Sequence, residues 1–209
     1  MPTIEQARGW YPHNDPVHGF DHVLRVMRSA ENIGEELGAD LEILRAAALL
    51  HDASGADPRE NRAEHENASA DFAREILGEE GWSLDRIEAV INCILSHRYR
   101  GHQRPGSLEA RILFDADKLD VVGAFGVART IGYAIQAGQP IFAEPSEKFL
   151  ASGEAEDGEP HSAYHEYLFK LRHVRERLHT EPAQHMATER EKTLVNFFEQ
   201  LAAEAHVGR

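Results

Sequence analysis

One cysteine, Cys93, stands in the 209-residue chain, so no internal disulfide can form. That count fits a reducing compartment, and a cytoplasmic location is expected. Long apolar runs are missing too: no stretch approaches the roughly 20 residues that span a bilayer as a helix. The opening residues, MPTIEQARGWYPHNDP, lack a basic start followed by an apolar run and do not read as a secretory signal. Positive charge is scarce, with 22 Lys and Arg against 36 Asp and Glu, a net charge of -14. Such a field repels polyanions at long range, which argues against nucleic acid and anionic membrane as partners. It leaves room for a small phosphorylated substrate, because a bound cation and a few arginines can reverse the sign inside one cleft. Internal repeats, low-complexity tracts and sustained strand alternation are also lacking, and no residue pattern sets an oligomeric state.

What the chain does have is helical periodicity. Val23, Val26, Met27, Ala30, Ile33 and Leu37 form one apolar stripe, closed by Gly38. Leu41, Leu44, Ala47, Ala48 and Leu49 form a second, with Asp40 as its N-cap. A third helix is expected near 62–77, with Ala68, Phe72, Ile76 and Leu77 inward and Gly78 as its stop. A fourth is expected near 84–97, with Leu84, Ile87, Val90, Ile91, Ile94 and Leu95 inward after Ser83. Further helices are expected over 107–120, 122–137, 161–178 and 183–205, and an exposed acidic loop over 151–160. The reading is all-α: one domain over residues 1–209, its core at about 15–140, with C-terminal helices at about 160–206 packed on it.

Histidine is plentiful, at 13 residues, and position sorts it. His22 lies four residues before Val26, on the apolar face of its helix. His51 follows Leu44 and Ala48 at steps of seven and three, and His97 follows Val90 and Ile94 the same way. His65 precedes Ala68 and Phe72 at three and seven. One inward histidine is usually a satisfied core residue. Four on consecutive helices would leave several hydrogen bonds unmet unless they share a partner, and a metal ion at the centre of the bundle is such a partner. Asp52 adjoins His51 at the end of the apolar run AAALLHDAS, where two neighbouring side chains about 100° apart can still converge on one ion. The segment LFDADKLD adds carboxylates: Asp117 is spaced to face inward, Asp115 points the other way, and Asp120 could share the side of Asp117.

The order His22, then His51-Asp52, then Asp117, with the flanking stretches HGFDHVLRV, AALLHDAS, CILSH and LFDADKLDVVGAFGVAR, resembles the HD superfamily of metal-dependent phosphohydrolases, nearest its small stand-alone bacterial members. The resemblance covers most of the chain. It implies a helical bundle binding one divalent cation through His22, His51, Asp52 and Asp117. His18, one turn before His22, competes with it, but the spacing to Arg25-Val26 favours His22. Relatives that hydrolyse guanosine tetraphosphate carry a Glu-Asp pair shortly after His-Asp; Ala53 to Pro58 here lack it, which argues against that activity. Binuclear cyclic-nucleotide and cyclic-dinucleotide phosphodiesterases of the superfamily place extra histidines where His65 and His97 stand, so a binuclear phosphodiesterase with a second metal is an alternative reading, although one metal with those histidines around the substrate is the favoured one.

Histidine with carboxylate suits Mn²⁺, Fe²⁺, Co²⁺, Ni²⁺, Zn²⁺ or Mg²⁺; imidazoles make Mg²⁺ the less natural choice, and Mn²⁺ is favoured. The expected chemistry is hydrolysis of a phosphoester or phosphoanhydride, with Asp52 able to take a proton and His65, His97 and Lys118 in catalytic positions. Arg25, Lys118, Arg98 and Arg100 could neutralise phosphate charge, and a nucleotide is the favoured substrate. Two other readings stay open: a di-iron oxygenase of the same fold, and a non-catalytic, metal-stabilised regulatory module. Cys93 is expected to be a buried structural thiol, and the glycines of VVGAFGVARTIGYAI to permit close helix packing. Trp10 and Tyr11 would either cover a cleft or fill core. His161, His165, His173, His179, His185 and His206 are expected at the surface.

Overall fold

The computed structural model describes residues 1–11, 19–53, 65–98 and 104–206. Among these it shows ten α-helices and two short 3-10 turns, with no strand. The helices are α1 (Ile4–Arg8), α2 (Phe20–Leu37), α3 (Leu41–Leu50), α4 (His65–Glu79), α5 (Leu84–Ser96), α6 (Leu108–Leu119), α7 (Gly123–Gln136), α8 (Glu147–Ser152), α9 (Ala163–Phe169) and α10 (Glu181–Ala205). The chain groups into two compact units: Met1–Asp117 with His179–Ala183, and Lys118–Leu178 with Gln184–Arg209.

In the first unit α3 is the central helix, packed against α2 and α5. Ala46, Ala47, Ala48 and Leu50 are fully buried, as suits a helix that is apolar on nearly every side. Its start is set by Asp40, whose carboxylate accepts from the backbone N–H groups of Glu42 and Ile43 at 3.0 and 3.1 Å. The preceding helix ends at Gly38 in the left-handed region, φ 70°. Contact between α2 and α3 is close enough to require glycine at 34, where a Cβ would lie 2.5 Å from Leu44 Cδ1. The short α1 is fixed by a reciprocal cap between Thr3 and Gln6.

The second unit buries Phe149, Tyr167, Leu194 and Phe198, with the Tyr167 and Phe198 rings stacked at 4.6 Å. Gly123, at φ 78°, lets α7 approach Arg190 of α10, whose Cβ would lie 3.0 Å from a side chain there.

Four expectations change. Helix α4 runs through Gly78 to Glu79, and Gly81 at φ 75° takes the left-handed position instead. Leu84, the first residue of α5, is 79% exposed, off the face that buries Ile87, Val90, Ile91 and Ile94. The helix expected over 161–178 is α9 alone, followed by 3-10 turns at Leu171–His173 and Arg175–Arg177, because Lys170 leaves helical backbone at φ -124°. His165, expected at the surface, is fully buried. It faces Glu159 at 2.9 Å through Nε2 and Ser162 Oγ at 2.7 Å through Nδ1.

Candidate metal centre

Helix ends in the first unit supply the polar centre. His51 follows α3 as its C-cap and His97 follows α5 in the same position. Both imidazoles turn back on their own helix: His51 Nδ1 donates to Ala48 O at 2.8 Å, and His97 Nδ1 donates to Ile94 O at 2.5 Å. A carbonyl can only accept, so each Nδ1 carries a proton, and a neutral ring so held has its lone pair at Nε2. The carboxyl ends of two helices also bring partial negative charge, which favours a cation.

These lone pairs meet carboxylates. His51 Nε2 lies 3.5 Å from Asp52 Oδ2, and His97 Nε2 lies 3.6 Å from Asp52 Oδ1. From α2, His22 Nε2 stands 3.3 Å from Asp117 Oδ1 on α6. The His51 ring lies 5.5 Å from that of His22 and 5.3 Å from that of His97. His22, His51 and Asp52 each offer one ligand atom within 4.8 Å of the others. Ligands about 2.0–2.2 Å from one ion stand roughly 3.0–3.6 Å from their neighbours around it; the His51–Asp52, His97–Asp52 and His22–Asp117 pairs fall in that range.

The strongest sign of fit is His51. It is fully buried, and its Nε2 has no hydrogen-bond partner among the described residues. Such an orphan is costly unless something else occupies the lone pair. Burial pushes its pKa below the ordinary histidine value, with His97 and His22 acting in the same direction against Asp52 and Asp117. A neutral imidazole is the form that binds metal.

The remaining residues divide. Arg25 is half-buried on α2. Arg98, half-buried, lies 3.9 Å from Glu66 of α4. Lys118 is half-buried in the last turn of α6, next along the chain after Asp117. His65 opens α4, but its side chain, like His18 and Arg100, lies outside the described residues. Asp120 pairs with Arg129 at 2.8 Å. Asp115 is buried and accepts from His179 N, Thr180 N and Thr180 Oγ1, so it anchors the start of α10. The sequence left Tyr11 undecided; it is buried, and its hydroxyl donates to Leu49 O at 2.9 Å. Nothing in the aromatic pair Trp10-Tyr11 announces that partner, 38 residues away.

The structure is an all-α bundle in which His22, His51 and Asp52, from separate parts of the chain, stand close enough together that they could hold a metal ion. The chain is a member of the HD-domain family, whose domain matches residues 19–122. The uncharacterized protein YpgQ of Bacillus subtilis is 30% identical over 208 residues, covering 96% of this chain and 93% of that protein. The crystal structure of YpgQ in complex with ADP superposes with a TM-score of 0.74 at 26% identity, covering 98% of this chain and 99% of that one. A predicted HD superfamily hydrolase from an uncultured Thermotogales bacterium gives a TM-score of 0.65 at 27% identity, covering 96% and 90%. Among the described residues no helix is long and apolar enough to cross a membrane.

Proposed function

We propose that this chain is a metal-dependent phosphohydrolase that cleaves a phosphoester or phosphoanhydride of a small molecule, with a nucleotide as the favoured substrate class. The observation that carries the reading is the buried, unpartnered Nε2 of His51 beside Asp52, with His22 and Asp117 closing the group. Its support is membership of the HD-domain family and a relative crystallised with ADP. His22, His51, Asp52 and Asp117 would hold one divalent cation, Mn²⁺ favoured. Such a cation supplies Lewis acidity toward water and toward a phosphoryl oxygen.

The chain's own groups supply the rest. The Asp52 side chain is 23% exposed, so one carboxylate can face both the buried imidazoles and solvent, where it can accept a proton. His97, held in one tautomer by Ile94 O, presents Nε2 as a group that orients substrate or water. Arg25, Arg98 and Lys118 would neutralise phosphate charge. Arg98 would do so by exchanging Glu66 for phosphate, since the two now stand 3.9 Å apart.

The test is release of phosphate and pyrophosphate from nucleoside mono-, di- and triphosphates and from sugar phosphates by the purified chain with Mn²⁺. Turnover that disappears in His51→Ala and Asp117→Ala supports the reading. Full retention of every compound by protein shown to contain the cation overturns it.

A further inference from the structure

The end of α3 is unusual in its chemistry. No glycine or proline interrupts the run from Ala46 to Ala53, so local sequence gives the helix no reason to stop at Leu50. It stops because its last carbonyls are taken by other partners. Ala48 O accepts from the His51 ring at 2.8 Å, Leu49 O accepts from the Tyr11 hydroxyl at 2.9 Å, and Leu50 O accepts from Ala53 N at 3.2 Å. In a continuing α-helix Ala53 N would bond Leu49 O. Here it tightens by one residue, and the phenol takes the vacated acceptor.

We propose that Tyr11 is a positioning residue for the His51-Asp52 pair: its hydroxyl holds α3 in this tightened ending, which splays the two side chains toward one point. The inference rests on the metal-centre reading above. Tyr11 is suited to the task. It is 4% exposed, and its ring packs on Phe20 at 5.6 Å, two residues before His22 on α2, so one side chain spans the segments that carry three of the four proposed ligands.

Tyr11→Phe keeps the ring and removes the bond. Groups that orient metal ligands typically change affinity by about 10- to 100-fold when lost. The expected result is Mn²⁺ affinity weakened about tenfold or more by calorimetry, with a displaced visible absorption band in the Co²⁺-loaded protein. Trp10→Phe serves as the packing control on the same segment, because the Trp10 ring meets Phe72 edge-on at 5.4 Å. It should lower the melting temperature of the metal-free protein and leave Mn²⁺ affinity and Co²⁺ spectrum as in wild type. Equal affinity and superposable spectra for wild type and Tyr11→Phe overturn this inference alone. A wild-type protein that binds neither cation overturns the metal-centre reading, and this inference with it.

Discussion

Removing the carboxylate of Asp115 should destabilise the fold more than most single substitutions. Asp115 is fully buried on α6 and accepts three hydrogen bonds: 2.8 Å from His179 N, 2.8 Å from Thr180 N and 2.7 Å from Thr180 Oγ1. Those donors lie at the start of α10, where helix N–H groups have no partner of their own. Asp115→Ala strands the buried Thr180 N–H and hydroxyl, at about 1–3 kcal/mol each, and also frees the His179 N–H, which is only part-buried. Relief from burying a carboxylate offsets part of this; burial pushes the Asp115 pKa up despite its three donors. The net expected loss is about 3–5 kcal/mol, which for a chain of this size lowers the melting temperature by roughly 6–20 °C. Asp115→Asn keeps one acceptor oxygen but turns an NH₂ toward a donor, and should lose about half as much. Thermal melts followed by circular dichroism at neutral pH decide the matter. An Asp115→Ala protein within about 1 kcal/mol of wild type would refute the reasoning, because buried donors would then be unpaired at no cost.

Three further outcomes follow from other parts of the molecule. Free Mn²⁺ at about 100 times its dissociation constant should stabilise the folded state by about 2.7 kcal/mol, a melting shift of roughly 5–11 °C, and the shift should vanish in His51→Ala. Glu159 is held down to about 2, first by the Ser146 backbone N–H and then by the His165 ring. Its depressed folded value means that its contribution is complete above the unfolded carboxylate range near 4.3 and is lost as pH falls toward 2; melts of Glu159→Gln should show a weaker acid dependence in that window than wild type. Cys93 is fully buried and its thiol is pushed up to about 12 by burial and then by Glu109, so a thiol reagent should react with it in denaturant and leave it untouched in native protein.

Much of the fold was readable because the relevant forces are local. The stripe from Val23 to Ile33 is buried on α2, Asp40 caps α3, and Gly38 closes α2. The inward histidines were readable for a different reason: imidazoles on apolar faces are expensive, so their spacing carries information. His22, His51 and His97 are all buried, with Asp117 3.3 Å from His22 and Asp52 3.5 and 3.6 Å from His51 and His97. What escaped depends on partners distant in sequence or lying in loops. The burial of His165 requires Glu159 to fold in from an acidic stretch that reads as exposed, and Ser162 to cap α9 beneath it. The short helices α1 and α8 pass below the length at which periodicity is visible, although Thr3 with Gln6 was a legible reciprocal cap and Ser146 caps α8 by accepting from Phe149 N. Tyr11 reaches across to Leu49, a backbone acceptor with no side-chain signature.

Crystals grown with Mn²⁺ and measured at the manganese absorption edge test the central claim most directly. The account predicts one anomalous peak at bonding distance from His22, His51, Asp52 and Asp117 together. An ion bound elsewhere, or crystals whose anomalous map is empty at that point with Mn²⁺ in excess, would contradict it.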